Sequence, residues 1–302
     1  MSEIRPRTVA IIQARMSSSR LPGKVLQDIG GKPMLAWVAQ RAVRARGVDQ
    51  VIVATTSDPA DDPVEQTCAA LGLACHRGSV YDVLDRYYTA AQAAGAQVIV
   101  RLTADCPLID PALIDQVLEA FHASVADFAA NRLPPPWKRT FPIGLDVEVC
   151  SFAALERAWR EATEKYEREH VMPYLYDQPG RFGVKVVDND PDYGHLRWTV
   201  DTPADLEFVR RVVALLGRDD FGWLDVLAVV QAHPELSEIN AGVRHKVFDE
   251  VDERSTENPD TSVQTTQNNE KYPPGRTPGR REPRSPFGGV RHGQQDELSK
   301  KD

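Results

Sequence analysis

Residues 8–24 read TVAIIQARMSSSRLPGK, an apolar run followed by a short cationic loop. The first part, Thr8 to Gln13, is rich in Val and Ile, and such a run predicts a buried β-strand. The loop behind it carries the cations Arg15, Arg20 and Lys24 between small polar residues. The stretch therefore predicts a strand that brings a positively charged loop to one edge of a sheet.

Outward from this strand, short apolar runs alternate with helical patterns along the chain. The further strand candidates are Gln50–Thr55, Gln97–Leu102, Asp146–Cys150, Gly183–Val187 and Leu196–Val200. This alternation is the signature of βαβ units, in which helices join parallel strands. We therefore predict an open α/β sheet with helices on both faces, and we expect ligands at the carboxyl ends of its strands.

Helix start and stop signals recur between the strand candidates. Most of the predicted helices begin at a Pro or at a capping Asp, Ser or Thr, and several stop at a Gly. The predicted helical segments run from Pro33 to Gly47, Asp62 to Gly72, Asp82 to Gly95, Asp110 to Phe121, Ser151 to Glu161 and Thr202 to Gly217.

The composition excludes several classes of protein. The formal net charge is -8, whereas a nucleic-acid binder needs clustered Lys and Arg to neutralise phosphates. No stretch approaches the roughly 18 to 20 uninterrupted apolar residues of a membrane span, and the start MSEIRPRTVAIIQARM lacks the apolar centre of a signal peptide. The four cysteines have no CxxC spacing. We expect a cytoplasmic protein with reduced cysteines that acts on small molecules.

The composition changes sharply near residue 248. Beyond it the sequence is rich in Pro, Gly and polar residues and is almost without apolar periodicity. Such a segment cannot bury enough apolar surface to offset its ordering entropy. We predict a folded domain over residues 1–248 and a disordered tail over residues 249–302.

The loop after the first strand has the composition of a phosphate-binding loop. Ser17, Ser18 and Ser19 keep it small enough for backbone N–H groups to approach an anion. Arg15 and Lys24 can neutralise the charge of a phosphate chain. A solvated basic loop would contain the same residue types, because Arg and Lys are ordinary surface residues. The loop residues by themselves leave both interpretations open.

The run IIQARMSSSRLPGKVL, residues 11–26, resembles the N-terminal signature of the CMP-sugar synthetases. It is most similar to that of the 3-deoxy-manno-octulosonate cytidylyltransferases and their spore-coat polysaccharide biosynthesis relatives, whose loop reads ARxxSxRLPGK. The resemblance implies a Rossmann-like mixed sheet of the nucleotide-diphospho-sugar transferase (GT-A-like) type, and CTP as the nucleotide. It also implies which residues meet CTP: Arg15 and Lys24 at the phosphates, with Ala14, Ser18 and Arg20 lining the same loop.

A second feature is Asp105, which follows the strand candidate Gln97–Leu102. A hard cation beside phosphates needs such a carboxylate oxygen. A turn or helix cap is the ordinary role of an Asp near Pro, but Asp110 directly precedes the next predicted helix and is the better cap. In the resembling family, a Gly-Asp pair before a Pro ends this strand and its Asp binds the metal. Here Ala104 replaces the Gly, and Cys106 stands where the octulosonate enzymes have Glu.

The third feature is the segment HLRWTVDTPADL, residues 195–206. Thr202 can cap the helix that begins at Pro203, which leaves Asp201 at the end of a strand candidate and facing the same crevice. The alternative is that Asp201 is the cap and Thr202 the first helical residue. The segment resembles the V-D-T-P-x-D-L run of the family, which contributes a second metal-binding Asp. The resemblance thus implies that Asp105 and Asp201 hold Mg²⁺ against the triphosphate.

The segment Arg77-Gly78-Ser79, together with residues 82–87 that follow it, falls where the resembling enzymes surround the cytosine and ribose. The resemblance makes Arg77, Ser79 and Arg86 candidate nucleotide contacts. Asp82 and Asp85, which lie between them in the sequence, are the expected capping pair of the next helix.

Candidates for the acceptor pocket come from two charged, aromatic segments. They are Arg168, His170, His195 and Arg197, and Arg168 or Arg197 could act as a fork for a carboxylate. A salt-bridge network at the surface or between subunits is the alternative. The motifs EREH and HLRW resemble the spore-coat branch of the family and imply a homodimer.

Taken with the resemblance, these features predict transfer of CMP from CTP to an acidic sugar or related small acceptor, with release of pyrophosphate, for surface polysaccharide biosynthesis. Positioning and charge neutralisation by Mg²⁺, Arg15 and Lys24 would dominate such a reaction. Two alternatives remain open. The same fold serves glycosyltransferases that use a nucleotide sugar, and it could serve a non-catalytic nucleotide-binding partner.

Overall fold

The computed structural model describes residues 5–134 and 137–244. The strands within these ranges are β1 (Thr8–Gln13), β2 (Asp28–Ile29), β3 (Lys32–Pro33), β4 (Gln50–Thr56), β5 (Ala74–Gly78), β6 (Val98–Thr103), β7 (Phe128–Ala130), β8 (Glu148–Ser151) and β9 (Val184–Val186). The α-helices are α1 (Met34–Val43), α2 (Asp62–Leu71), α3 (Val83–Ala93), α4 (Pro111–His122), α5 (Phe152–Glu161), α6 (Lys165–His170), α7 (Pro173–Tyr176), α8 (Pro203–Leu216), α9 (Trp223–Ala232) and α10 (Glu235–Ile239).

The strands form a seven-stranded mixed sheet in the order β5-β4-β1-β6-β8-β7-β9, and β2 and β3 form a separate hairpin. At its centre β1 pairs in parallel with both β4 and β6, and Ile11 lies opposite Ile52 on one side and Arg101 on the other. Strand β8 runs antiparallel to β6 and β7. The carboxyl ends of β1, β4 and β6 therefore share one edge of the sheet, where ligands are expected.

Helices cover both faces of the sheet because β1 is apolar on both. Ala10 and Ile12 belong to one buried cluster, which α1, α4, α8 and α9 complete. Val9 and Ile11 belong to the other, which α3, α5 and α7 complete. All four residues have no exposed surface, as expected of a strand buried on both sides. The predicted fold class is confirmed.

The predicted helix caps are confirmed at several positions. The side chains of Asp82, Asp110, Ser151 and Thr202 each accept a backbone N–H from the first turn of the helix that they precede. Such a bond satisfies one of the N–H groups that a helix leaves without an intrahelical partner. Gly72 ends α2 with φ 68°, a left-handed conformation that glycine adopts at little cost.

One predicted strand is wrong. Residues 196–200 form no ladder, and Arg197 makes an isolated parallel bridge to Ile143. The segment is nevertheless buried, since Trp198 is 1% exposed and Val200 is fully buried. Its neighbours are loops rather than strands, so its apolar pattern reports burial and not a continuous ladder.

Several elements were missed by the sequence prediction. Strands β5 and β7 are short or half-exposed, and α6, α7 and α10 are too short to show a clear helical period. Helix α1 ends at Val43, one turn before the predicted stop at Gly47. The tail predicted over residues 249–302 lies outside the described residues. Among the helices that are described, none is long and apolar enough to cross a membrane.

Candidate active site

The cationic loop starts where β1 ends and is held in place by its own backbone. Ala14 is buried and donates its N–H to the carbonyl of Ala54 in β4. Gly23 donates its N–H to the carbonyl of Met16, and its φ of 68° closes the loop. A side chain at Gly23 would be strained, because this left-handed conformation favours glycine. The turn places Lys24 at the start of a short 3-10 helix.

A buried carboxylate supports the same loop from below. Asp61 is 3% exposed and accepts the Met16 N–H at 2.6 Å and the Thr56 hydroxyl proton. Two donors satisfy a carboxylate that would otherwise be costly to bury. Asp61 therefore holds the loop at Met16 close to the end of β4. The sequence offers no separate signal for this role.

Asp105 and Asp201 meet because their backbones are bonded to each other's segments. Asp105 lies in the turn after β6, and its carbonyl accepts the Val200 N–H at 2.9 Å and the Thr199 hydroxyl at 3.2 Å. Residue 201 thus emerges beside residue 105. The two carboxylates, although far apart in sequence, lie on the same side of the molecule.

Lys24 joins the two carboxylates directly. Its Nζ lies 2.7 Å from Asp105 Oδ2, 2.8 Å from Asp201 Oδ1 and 2.9 Å from the Val200 carbonyl oxygen. Burial lowers the pKa of Lys24, but Asp105 and Asp201 outweigh burial and leave the pKa above its ordinary value. The ammonium therefore stays charged at neutral pH.

The second oxygen of Asp201 is held by arginines. Arg20 and Arg197 each place a terminal nitrogen 2.9 Å from Asp201 Oδ2. Burial raises the pKa of Asp201, but Lys24, Arg197 and Arg20 together bring it well below its ordinary value. Asp201 is consequently ionised and fixed in position. The structure thus brings together Arg20, Lys24, Asp105, Asp201 and Arg197 among the predicted site residues.

The start of α8 explains why Asp201 is available. The Thr202 side chain accepts the Asp205 N–H, and the Asp205 carboxylate accepts the Thr202 N–H, which together form a capping box. The predicted choice of Thr202 as the cap is confirmed. Asp205 has no exposed surface and also accepts from the Asp201 N–H, Arg197 and Asn240. It therefore positions both Asp201 and the arginine that holds it.

A cavity of about 140 Å³ opens beside the two carboxylates, and we call it the flanking cavity. Its lining is mostly polar and comes from β6, β8 and the loops near them. The lining residues are Arg101, Thr103, Asp105, Cys106, Arg132, Ile143, Asp146, Glu148, Thr199 and Asp201. A small polar molecule in this cavity would lie directly against the carboxylate pair.

Ion pairs form one side of the flanking cavity. Arg101 and Glu148 lie opposite each other on β6 and β8 and form a salt bridge, with 10% and 4% of their side chains exposed. Asp146 is shared by Arg132, whose Nε lies 3.4 Å away, and by Arg139, which binds both carboxylate oxygens. Two guanidinium groups of the lining, Arg101 and Arg132, thus meet two carboxylates, and Arg139 pairs with Asp146 from outside the lining.

The predicted base and ribose contacts lie near the end of β5. Arg77 pairs with Asp62 and Glu65, and so ties α2 to the sheet. Ser79 accepts the Asp82 N–H. Arg86 is 2% exposed and donates to the Ser79 carbonyl, and burial together with the nearby Arg15 lowers its pKa to about 10.

The predicted acceptor residues are dispersed. Arg168 forms a 2.6 Å ion pair with Asp82 and does not line the flanking cavity. The pKa of His170 is lowered to about 4, mainly by burial and further by the positive charges of Arg101 and Arg132. His195 lines a different cavity of about 340 Å³, together with Phe208 and Asn240. Ser18 is half-buried in the cationic loop.

Apart from Asp105 and Asp201, the charged residues of the flanking cavity were missed by the sequence prediction. A signal for two of them exists, because Arg101 and Glu148 interrupt apolar strands, and a buried charge requires a partner. Arg132 and Asp146 lie in loops, and nothing in their sequence spacing indicates that they meet.

A cationic loop after the first strand of an α/β sheet, with two carboxylates and a polar cavity beside it, fits the site of a nucleotidyltransferase. The model of the family described as cytidylyltransferase matches residues 9–215. The chain therefore belongs to the cytidylyltransferase family, as the resemblance predicted, and is an enzyme that transfers CMP from CTP.

Several similar proteins match two thirds or more of the chain. The uncharacterized protein MJ1063 of Methanocaldococcus jannaschii is 35% identical over 250 residues, which are 82% of this chain and all of that protein. The spore coat polysaccharide biosynthesis protein SpsF of Bacillus subtilis is 31% identical over 236 residues, with 74% and 94% covered. A 3-deoxy-manno-octulosonate cytidylyltransferase of Anaeromyxobacter dehalogenans is 32% identical, with 68% and 96% covered. The solved structure of a cytidylyltransferase from Leptospira borgpetersenii has a TM-score of 0.73 and 30% identity, with 80% and 99% covered.

Proposed function

We propose that this enzyme transfers CMP from CTP to an acidic sugar or related small acceptor, in a reaction that needs Mg²⁺ at Asp105 and Asp201. The observation that carries the proposal is the contact of one ammonium group, Lys24 Nζ, with both carboxylates. A site that already holds one cation between two acidic oxygens, next to a cationic loop, suits a metal-bound triphosphate.

The carboxylates fit a hard divalent cation. Asp105 Oδ2 and Asp201 Oδ1 face the same point, at which the Lys24 ammonium acts as a stand-in cation. Among the described residues there is no group of three or more His, Cys, Asp or Glu side chains that could hold a metal by itself. The remaining ligands would be phosphate oxygens and water, the usual way in which Mg²⁺ is bound at nucleotide sites. Such an ion supplies charge neutralisation at the phosphates.

The cationic loop is proposed to bind the triphosphate. Arg15, Arg20 and Lys24 neutralise its oxygens, and Ala14 and Ser18 keep the loop close to the phosphates. On the nucleoside side, Arg77, Ser79 and Arg86 lie around the carboxyl end of β5, beside β4. Their contacts hold this rim of the sheet rigid, which positions a bound base and ribose.

The acceptor is proposed to bind in the flanking cavity. Arg132 shares Asp146 with Arg139, so its positive charge is the one best placed to pair with an anionic group of the acceptor. His170 is near enough to Arg101 and Arg132 for their charges to lower its pKa, and Arg197 acts through Asp201 rather than by direct contact. Arg168 and His195 would touch only the outer parts of a larger acceptor.

In the reaction, an acceptor oxygen forms a bond to the α-phosphorus of CTP while the bond from that phosphorus to the β-phosphate oxygen breaks. Pyrophosphate leaves, and the acceptor hydroxyl proton passes to solvent. The chain aligns the two reactants and neutralises the charge that moves onto pyrophosphate, through Arg15, Arg20 and Lys24. We assign no side chain as a general base.

The experiment that tests this function is a pyrophosphate-release assay. CTP is compared with UTP, ATP and GTP, each with Mg²⁺ and with a panel of sugar acids and phosphorylated sugars. We expect release with CTP and a sugar acid. A glycosyltransferase would consume a nucleotide sugar and release no pyrophosphate, so that result would replace the proposal.

The biological setting is proposed from the relatives. The name of the SpsF protein supports a role in surface polysaccharide biosynthesis, and the resemblance of the EREH and HLRW motifs supports a homodimer. Light scattering after size exclusion tests the dimer: a single species with the mass of one chain would contradict it.

A further inference from the structure

The contacts of Lys24 have a consequence for how the metal site is loaded. An ammonium group has three N–H bonds. Lys24 donates to Asp105, Asp201 and the Val200 carbonyl, and its side chain is only 12% exposed. The ammonium is therefore fully used inside the protein. It cannot bind a phosphate without giving up at least one of these three partners.

The two oxygens that Lys24 occupies are the ones that a divalent cation requires. Asp105 Oδ2 lies 2.7 Å from Nζ and Asp201 Oδ1 lies 2.8 Å from it, so the ammonium fills the point that both oxygens face. Two cations cannot share this position, because they repel each other at close range. An incoming metal ion must therefore displace the ammonium.

The protein offers the metal little in return when no nucleotide is bound. Only two carboxylates face the site, and Mg²⁺ demands near-octahedral oxygen coordination. This donor count applies to the described residues. A triphosphate bound at the cationic loop would favour metal binding in two ways. It supplies further oxygen ligands to the metal, and it gives Lys24 a new anionic partner.

The carboxylate pair itself would survive the departure of Lys24. The other oxygen of Asp201 remains bound by Arg20 and Arg197, and Asp205 holds Arg197 and the Asp201 N–H. The Asp105 carbonyl keeps the Val200 N–H. Displacement of the lysine thus needs only a side-chain movement.

We infer that Lys24 occupies the cation position of the free enzyme, so that the divalent ion enters only together with the nucleoside triphosphate. The inference rests on the proposed metal role of Asp105 and Asp201. In this order of binding, CTP draws the ammonium toward its phosphates and the vacated oxygens receive the metal. A metal ion without nucleotide meets a position that is already filled.

Electron paramagnetic resonance of free Mn²⁺ tests this inference with the full chain. After the Mn²⁺ that CTP binds by itself is subtracted, we expect the wild-type protein to bind Mn²⁺ at least about tenfold more weakly without CTP than with it, because without CTP the displaced ammonium has no phosphate to pair with. The Lys24→Met variant should bind Mn²⁺ without CTP about tenfold more tightly than the wild type. The double variant Lys24→Met, Asp105→Asn should lose that gain.

Lys32→Met is the matched control, since Lys32 pairs with Asp219 away from the site. It should behave as the wild type. Wild-type Mn²⁺ affinity that is independent of CTP would overturn the inference, and so would a Lys24→Met variant that is folded by circular dichroism and gains nothing. The wild-type comparison needs no variant, so a misfolded Lys24→Met leaves the inference open to refutation.

The proposed function fails separately. Calorimetry of CTP binding and the pyrophosphate assay test it without reference to Mn²⁺ affinity in the absence of nucleotide. A protein that binds and turns over CTP but holds Mn²⁺ equally well without it refutes only the role of Lys24.

Discussion

The loop and carboxylate side of the site and the flanking cavity are built in different ways. The first consists of short segments next to regular elements: the loop after β1, Asp105 in the turn after β6, and Asp201 shortly before α8. The second takes its charges from inside β6 and β8, at Arg101 and Glu148, and from connecting loops. The comparison teaches that the proposed nucleotide side is encoded in short contiguous motifs, whereas the proposed acceptor side, the flanking cavity, depends on long-range packing.

The largest effect should come from the carboxylates. Asp105→Asn or Asp201→Asn should lower kcat by about 10³-fold or more, because each removes a carboxylate that is proposed to hold the metal, and the metal in turn would neutralise the phosphates. Pyrophosphate release at saturating CTP measures it. Asp220→Asn, whose side chain is 73% exposed, is the control. Wild-type rates in both site variants would remove the metal assignment and the comparison with it.

Asp205→Asn should destabilise the whole site from behind. The Asp205 carboxylate is fully buried and accepts several hydrogen bonds. Its loss leaves Arg197 without its main partner, and we expect this to lower the free energy of unfolding by about 3 to 5 kcal/mol. Denaturant unfolding measures this cost. Glu207→Gln, in an exposed pair with Arg211, should cost less than about 1 kcal/mol. Equal costs in the two variants would refute the positioning role of Asp205.

The pH dependence of stability gives a second readout for Asp205. Burial raises its pKa, but Arg197 and its other donors bring the pKa of Asp205 below the ordinary value in the folded protein. Its contribution is therefore fully present above the unfolded pKa of about 4 and is lost as the pH falls below it. Between about pH 6 and pH 3, the free energy of unfolding should therefore change less with pH for Asp205→Asn than for the wild type.

Arg132→Gln sharpens the comparison from the acceptor side. Loss of a charge-assisted bond should raise KM for the acceptor found in the screen by about 10- to 100-fold. The dissociation constant for CTP should not change, because Arg132 lies in the flanking cavity and not in the cationic loop. Arg46→Gln, 84% exposed, is the control. A change in CTP affinity without a change in acceptor KM would contradict the assignment of the flanking cavity to the acceptor and would place CTP there instead.

A helix cap away from both sides should have a smaller effect. Ser151 caps α5, and Ser151→Ala should cost about 1 kcal/mol of stability. Steady-state rates below the melting temperature should stay at the wild-type level. A large loss of activity would show that α5 takes part in the site.

The smallest effect is expected from deletion of residues 250–302. Their composition predicts that they add little to the core, so melting temperature and pyrophosphate release should remain nearly unchanged. A large fall in either quantity would show that this segment packs on the enzyme.

The sequence by itself determined the nucleotide side of this protein. The strand at Thr8–Gln13, the cationic loop to Lys24, and the helix caps at Asp110 and Thr202 all depend on residues close together in the chain. Local turn and capping chemistry fixes such features, and the family motif covers them. The strand predicted at residues 196–200 was wrong because an apolar pattern indicates burial but does not indicate which segment lies beside it.

Only the tertiary structure decided what lies opposite the motifs. Lys24 meets Asp105 and Asp201, and Arg132 meets Asp146, through contacts that span loops and strands of the whole domain. The physical reason is that the direction and partner of a charged side chain depend on desolvation and packing in three dimensions. These are properties of the folded neighbourhood, and no spacing along the chain encodes them.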